Sequence, residues 1–297
     1  MGLAEAGLDA DLCPIADGGE GTLAALIGER GLRSAHAVDP LGRPIETTFG
    51  LTDRGDAVVE TAAASGLGLV AVDERNAVAA STTGTGQLIL AAVDAGARTV
   101  YVAVGGSATT DGGRGAIEAI GDVARLRGAR LVILCDVRTT FEDAAAVYGP
   151  QKGASPSDVR FLSERLQRMA PTLPRDPRGV PMTGAAGGLA GGLWAAFGAE
   201  LVPGAGYVLD ALRFDERCAR AVAVITGEGR LDGQSSEGKA VSAVAARAGR
   251  LDRPCHAMVG RSALTAAQAQ SLGLASVREA GTPALLTLAG RSIGRCV

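Results

Sequence analysis

The hydrophobic pattern of the chain switches between two periods. Short runs of consecutive apolar, β-branched residues alternate with stretches in which small and apolar residues recur every three or four positions. Thr99–Val104 (TVYVAV) and Ala129–Cys135 (ARLVILC) read as strands buried on both faces, as in a parallel sheet. Ala221–Thr226 reads as another strand. Helical spacing predicts helices over Leu23–Gly31, Gln87–Ala95 and Gly115–Arg127, a further one opened by Gly184–Gly192, and the last turns of a helix over Met1–Asp11. Residues 35–60 change texture to short alternating segments around Pro-Leu-Gly and Asp-Arg-Gly-Asp turns, which signals antiparallel strands and a candidate domain boundary. The Pro-rich stretch 170–182 reads as a surface connection. Strands alternating with helices define an α/β protein.

The 297 residues, 47% hydrophobic and 21% charged, suffice for one large or two ordinary domains. No apolar run reaches the ~18 residues of a membrane span, and the N-terminus lacks a basic region followed by an apolar stretch, so a non-exported cytoplasmic protein is expected. A net charge of −3 without a basic tract gives no support to a nucleic-acid surface and points to a small-molecule partner. Five cysteines stand singly, without a C-x-x-C pair, which fits a reducing compartment and argues against a structural zinc site. His36 and His256 have no partner at metal-ligand spacing. Chemistry should therefore rest on carboxylates, Lys or Arg, backbone amides and a metal ion.

Glycine, at 43 residues, clusters in loops beside Asp, Glu, Ser and Thr. The principal loop, Gly105-Gly-Ser-Ala-Thr-Thr-Asp-Gly-Gly113, lies between a strand and a helix. That arrangement aims backbone N–H groups and a helix dipole at an anion, although a tight strand-to-helix turn would look the same. Asp17 and Glu20 stand among glycines ahead of a helix, where they could hold Mg²⁺ or a substrate hydroxyl, or simply cap the helix. Asp136 follows a strand end, outside which ligands bind in open α/β sheets. Of 29 basic residues only Lys152 and Lys239 are lysine, both beside glycine, which suggests a need for a compact ammonium at a phosphate. The Gly184–Gly192 loop, with Gly187 and Gly188, reads as another anion-binding helix start or as close packing of small residues. A last glycine loop, Gly227–Lys239, carries Glu228 and Arg230 and contains a G-x-x-x-x-G-K whose following Ala240 and distance from the strand make it a poor Walker match. A serine hydrolase is disfavoured for want of a G-x-S-x-G elbow.

Together, PIADGGEGT (14–22), VVETAAASGL (58–67), TTGTGQLILAAVDAG (82–96), VGGSATTDGG (104–113), CDV (135–137), YGPQKGA (148–154), GAAGGLAGGL (184–193) and VITGEGRLDGQSSEGKA (224–240) resemble the type I glycerate kinase family over about residues 11–255. The resemblance implies two α/β domains around a cleft, one with a Rossmann- or flavodoxin-like parallel sheet and the other mixed. The expected boundaries put residues 1–37 with 205–297 in one discontinuous domain and 38–204 in the second. It implies transfer of the γ-phosphoryl of ATP, with Mg²⁺, to D-glycerate, 2-phosphoglycerate being favoured over 3-phosphoglycerate. The alternative is a catalytically degenerate small-anion or nucleotide binder; a homodimer is left open.

Within that chemistry, Asp136, Asp111 and Lys239 are the catalytic candidates, Asp111 as the alternative base. Gly105, Gly106, Ser107, Thr109, Lys152, Gly187, Gly188, Glu228 and Arg230 are the substrate or phosphate candidates, Glu228 also having a metal or base role open to it. Asp17, Glu20 and Asp136 are the metal candidates. The family pattern differs in places: members normally begin with a strand and a loop resembling I-A-P-D-S-F-K-G-S, so the chain reads as an N-terminally truncated member. Thr110 stands where Asn is usual, Arg138-Thr-Thr140 replaces Asn-Pro-Leu, and the last 40 residues match poorly.

Overall fold

The structure, a computed structural model, describes residues 3–231 and 240–294. Its chain divides into two compact units, Met1–Ile15 with Leu209–Val297 and Ala16–Val208. Among the described residues nine strands form two sheets, six in the larger unit in the order β1-β2-β3-β4-β5-β6 and three in the smaller in the order β7-β8-β9.

In the larger unit β1 (Leu32–Val38), β2 (Pro44–Leu51) and β3 (Asp56–Glu60) pair antiparallel, as the alternating texture of 35–60 predicts. β4 (Thr99–Ala103), β5 (Arg130–Leu134) and β6 (Glu200–Val202) continue from β3 in parallel. Since β1 is the sheet's edge, residues 16–37 belong with the larger unit, and the expected boundary at 37/38 moves to 15/16. The other expected boundary, 204/205, moves to 208/209.

Consecutive apolar residues in β3 to β5 follow from burial on both faces. Ala57, Val59, Val100, Val102, Leu131 and Ile133 share one core with Leu88, Ile89 and Ala92 of the helix Thr83–Asp94, Ala116 and Ile120 of Arg114–Ile120, and Leu189, Ala190 and Leu193 of Leu189–Phe197. On the opposite face Tyr101 of β4 packs on Tyr207 of the helix Gly204–Ala211, with ring centroids 4.6 Å apart. The expected helix 115–127 is shorter: it stops at Ile120, where Gly121 takes φ 73°, and a separate 3₁₀ turn covers Val123–Leu126. Likewise 23–31 resolves into the helix Thr22–Leu26 and a 3₁₀ turn Glu29–Gly31.

In the smaller unit β7 (Val224–Leu231), β8 (Cys255–Ser262) and β9 (Leu274–Glu279) are all parallel. The helix Ala240–Arg250 buries Val241, Val244, Ala245 and Ala248, a spacing that presents one face to the sheet's core. His256 Nδ1 meets Ser276 Oγ at 2.8 Å across the β8–β9 pair, a structural use of the ring. Among the described residues no helix is long and apolar enough to cross a membrane.

Ile133, on β5, is fully buried in the main core. Ile133→Ala should cost about 2–5 kcal/mol, read as a lowered urea midpoint of the larger unit. A loss below about 1 kcal/mol would mean that this sheet is not the core of the unit.

Candidate active site

The site grows from strand ends. Ala103 of β4 and Leu134 of β5 lie in register. Two residues beyond each stand Gly105 and Asp136, both past the C-terminal edge of the sheet, where ligands bind in α/β folds. Gly105 is glycine because the loop carrying Asp17 and Glu20 closes on it: a Cβ there would lie 2.6 Å from Gly19 Cα. No hydrogen bond ties the N–H of Gly105, Gly106 or Ser107 to another described residue, while their neighbours Val104 and Ala108 donate to Leu134 and Ser65. Three consecutive unspent amides, with Gly106 exposed, make the loop suited to an oxyanion.

Behind these amides the loop is fixed by Asp111. Its Oδ2 accepts from Thr82 N at 2.9 Å, Thr82 Oγ1 at 2.9 Å and Gly115 N at 3.0 Å, and its Oδ1 from Gly113 N at 3.1 Å. Thr82 Oγ1 in turn accepts from Ala116 N at 3.0 Å. The pair thus satisfies first-turn amides of the helix Arg114–Ile120 and ties that helix to the start of Thr83–Asp94. Asp111 is 8% exposed and its carboxylate is taken up by four donors, so the role of alternative base is corrected to a structural one.

Asp136 is different. Its Oδ2 accepts from Ala205 N at 2.7 Å, at the start of the helix Gly204–Ala211. Desolvation, with Asp17's negative charge adding to it and the Ala205 and Gly204 amides opposing, raises its pKa to about 6. Asp17 Oδ1 accepts from Gly19 N at 3.2 Å. Glu20 is exposed, its Oε2 lying 3.8 Å from where a Cβ on Gly106 would be. The structure therefore brings together Asp17, Glu20, Gly105, Gly106, Ser107 and Asp136. Among the described residues no three of His, Cys, Asp and Glu form a metal-holding group, so Asp17, Glu20 and Asp136 do not make a protein-only cage.

Several candidates take other places. Lys152, 5% exposed, spends its ammonium inside the protein: Nζ donates to Ser107 Oγ at 3.0 Å and to the Thr109 carbonyl. Direct phosphate contact is thereby corrected to support of the loop. Burial pushes its pKa down to about 7, with Asp111's charge opposing. Thr109 is fully buried and lies on the underside of the loop. Gly187 and Gly188 are buried with φ of 66° and 92°; a Cβ on Gly187 would lie 2.0 Å from the Thr109 carbonyl, and Gly187 O accepts from Gly112 N. They buttress the loop by close packing and do not form an open anion-binding helix start. Glu228 and Arg230 lie on β7 of the smaller unit, opposite Val259 and Arg261, in strand and not in loop. Lys239 and the rest of 232–239 lie outside the described residues.

Sequence reasoning missed two contributors. Glu60, closing β3, accepts from Leu23 N at 2.8 Å and so joins the sheet end to the helix after the Asp17 loop. A carboxylate just past an apolar run was its signal. Ala205 orients Asp136 through its backbone, for which no side-chain signal exists.

A strand-end loop of unspent amides with carboxylates around it is chemically suited to a small anion. The glycerate kinase family model matches residues 2–124 and 122–284. The chain is similar to the glycerate kinase of Halalkalibacterium halodurans, with 39% identity over 84% of this chain and 76% of the relative. It is also similar to the glycerate 2-kinase of Escherichia coli, with 35% identity over 83% of this chain and 75% of the relative. A crystal structure of a candidate glycerate kinase 2 from Salmonella typhimurium superposes with a TM-score of 0.80 at 33% identity, covering 99% of this chain and 91% of that one. The chain belongs to the glycerate kinase family, and it is an enzyme of that family.

Asp111→Ala would strand the buried amides of Thr82, Gly113 and Gly115. The expected loss is about 3 kcal/mol or more, measured by urea unfolding. Unchanged stability would show that these amides have other acceptors.

Proposed function

We propose that the protein transfers the γ-phosphoryl group of ATP to D-glycerate, with Mg²⁺, and that the product is 2-phosphoglycerate. The observation that carries this reading is that Asp136 and the unspent amides of Gly105–Ser107 follow the in-register ends of two adjacent strands, with the Asp17–Glu20 loop closing on Gly105. Family membership supports the acceptor, and the Escherichia coli relative, a glycerate 2-kinase, supports the position.

Phosphoryl transfer asks a protein mainly for positioning and for stabilisation of charge. The amides of Gly105, Gly106 and Ser107 receive an oxyanion of the substrates, and rigid loops behind them keep the donors aimed without reorganisation. Asp136 takes the proton of the attacking hydroxyl. Desolvation and Asp17 raise its proton affinity above that of an ordinary carboxylate, which suits a base while leaving it ionised at neutral pH. The Ala205 amide holds the Oδ2 oxygen and so orients the carboxylate.

Asp17 fits Mg²⁺: no described Lys or Arg forms an ion pair with it, and Asp136 is left outside the ligand set to take the proton. Hard oxygen ligands in small number, completed by phosphate and water, are what this ion takes. When bound it would neutralise charge on the transferring phosphate, with Glu20 at the mouth of the loop as a further oxygen donor.

The test is release of ADP in the presence of D-glycerate, ATP and Mg²⁺. Asp136→Ala should lower kcat about 10²–10⁴-fold with the urea midpoint retained. Near-normal turnover in that variant would remove Asp136 from the mechanism. Binding of ATP or glycerate by the unaltered protein without any turnover would replace the kinase reading with that of a degenerate binder.

A further inference from the structure

Ser107 and Lys152 form a pair whose chemistry is directional. A hydroxyl has one proton to donate and lone pairs that accept. Among the described residues the partner of Ser107 Oγ is the ammonium of Lys152, at 3.0 Å, and an ammonium only donates. Ser107 Oγ therefore accepts, and its own proton is left for something outside the protein. Ser107 sits at the end of the three unspent amides; it is 8% exposed and stands next to the exposed Gly106, through which a ligand would reach it. Lys152 is nine-tenths buried and cannot itself reach a ligand in solvent. Its second bond, to the Thr109 carbonyl, pins the turn beyond Ser107, and Arg165 Nη2 does the same to the Thr110 carbonyl at 2.8 Å.

We propose that Lys152 is a positioning residue that acts through Ser107: by donating to its oxygen it turns the hydroxyl proton outward, so that Ser107 and the Gly105–Ser107 amides form a purely donating cradle for an oxyanion. This rests on the assignment of that loop to anion binding. The oxyanion is either the glycerate carboxylate or a phosphate of the nucleotide, since both present the same acceptor chemistry. Lys152 in this role explains why a lysine is kept where its charge is costly: burial alone lowers its proton affinity, and Asp111 is the charged group that opposes this. An anion that accepts the Ser107 proton holds the hydroxyl in its outward-donating state, in which its oxygen is free to accept from the ammonium, so the ligand and the donor-only state of Ser107 reinforce one another. A neutral Lys152 amine could instead accept the Ser107 proton, and the cradle would lose a donor.

The experiment is a double-mutant cycle on binding, read by calorimetry with two probes used separately, D-glycerate without nucleotide and inorganic phosphate. Ser107→Ala removes the outward donor and leaves the fold's packing nearly unchanged. Lys152→Met removes the ammonium with little change in volume, and its urea midpoint reports whether it folds. Each single variant should weaken one probe about 10–100-fold, the range of a charge-assisted hydrogen bond. The double variant should be no more than a few-fold weaker than Ser107→Ala alone, because Lys152 has nothing left to act through. Affinity of the unaltered protein for that probe should also fall as pH rises above about 7, beyond any change from phosphate's own titration in that range, and this excess slope should vanish in Lys152→Met. Additive losses, or no loss with either probe, overturn the inference. If Lys152→Met does not fold, Ser107→Ala decides: an excess slope that persists in it overturns the inference, and its disappearance upholds it. Binding and turnover are separate readouts, so absence of ADP release from the unaltered protein would count against the kinase reading and leave this cycle standing.

Discussion

The carboxylate of Asp111 is the constraint on which the rest of the site depends. A glycine-rich loop that leaves three amides unspent at its front must be held by something else at its back, since glycine carries the largest backbone entropy to be lost. Asp111 supplies that hold by accepting four hydrogen bonds from two helix starts, with Thr82 as the second half of the joint. Burial makes each of those bonds matter, because the amides have no water to turn to. Around this joint the chain adds the Lys152 and Arg165 bonds to the Thr109 and Thr110 carbonyls and the packing of Gly187 against the same turn. The front of the loop stays polar and open while its carbonyls and its Asp111 carboxylate are tied down behind, although the buried Thr109 and Thr110 hydroxyls find no hydrogen-bond partner there.

The same logic separates the two aspartates that a sequence presents as equals. Asp111 is ringed by donors and serves the fold. Asp136 has the backbone amides of Ala205 and Gly204, a carboxylate neighbour and partial burial, which together leave its charge poorly compensated. A group whose ionised form is poorly satisfied by the protein is the one available to a proton or a cation brought by a ligand. Charge supply and demand around the sheet end therefore assign the roles better than proximity to glycine does.

The strands that meet at the site were legible because burial on both faces gives β4 and β5 their unbroken apolar runs. The antiparallel β1 to β3 were legible from alternation and turns. Strand β6 was not, having three residues, and β8 and β9 are interrupted by polar positions. Glu228 and Arg230 look like loop residues because glycines flank them, yet pairing with β8 carries the ladder through to Leu231. Gly105, Ser107 and Asp136 could be picked out from spacing alone. The partners that decide what each does could not: Ala205 acts through its backbone, and the burial of Lys152 depends on which turn folds over it. Asp111 shows the same limit, since an Asp after a glycine loop fits a ligand contact and a cap equally well until the donors are placed.

Phosphorus NMR of the reaction mixture, with D-glycerate, ATP and Mg²⁺, tests the central claim most directly. A phosphate ester at O2 neighbours a carbon with one hydrogen, and one at O3 neighbours a carbon with two, so coupling of the new signal identifies the acceptor atom. Transfer to O2 gives a new monoester doublet that grows as the ATP γ-signal declines. A triplet would contradict transfer to O2, and loss of ATP signal without any new monoester would contradict glycerate as the acceptor.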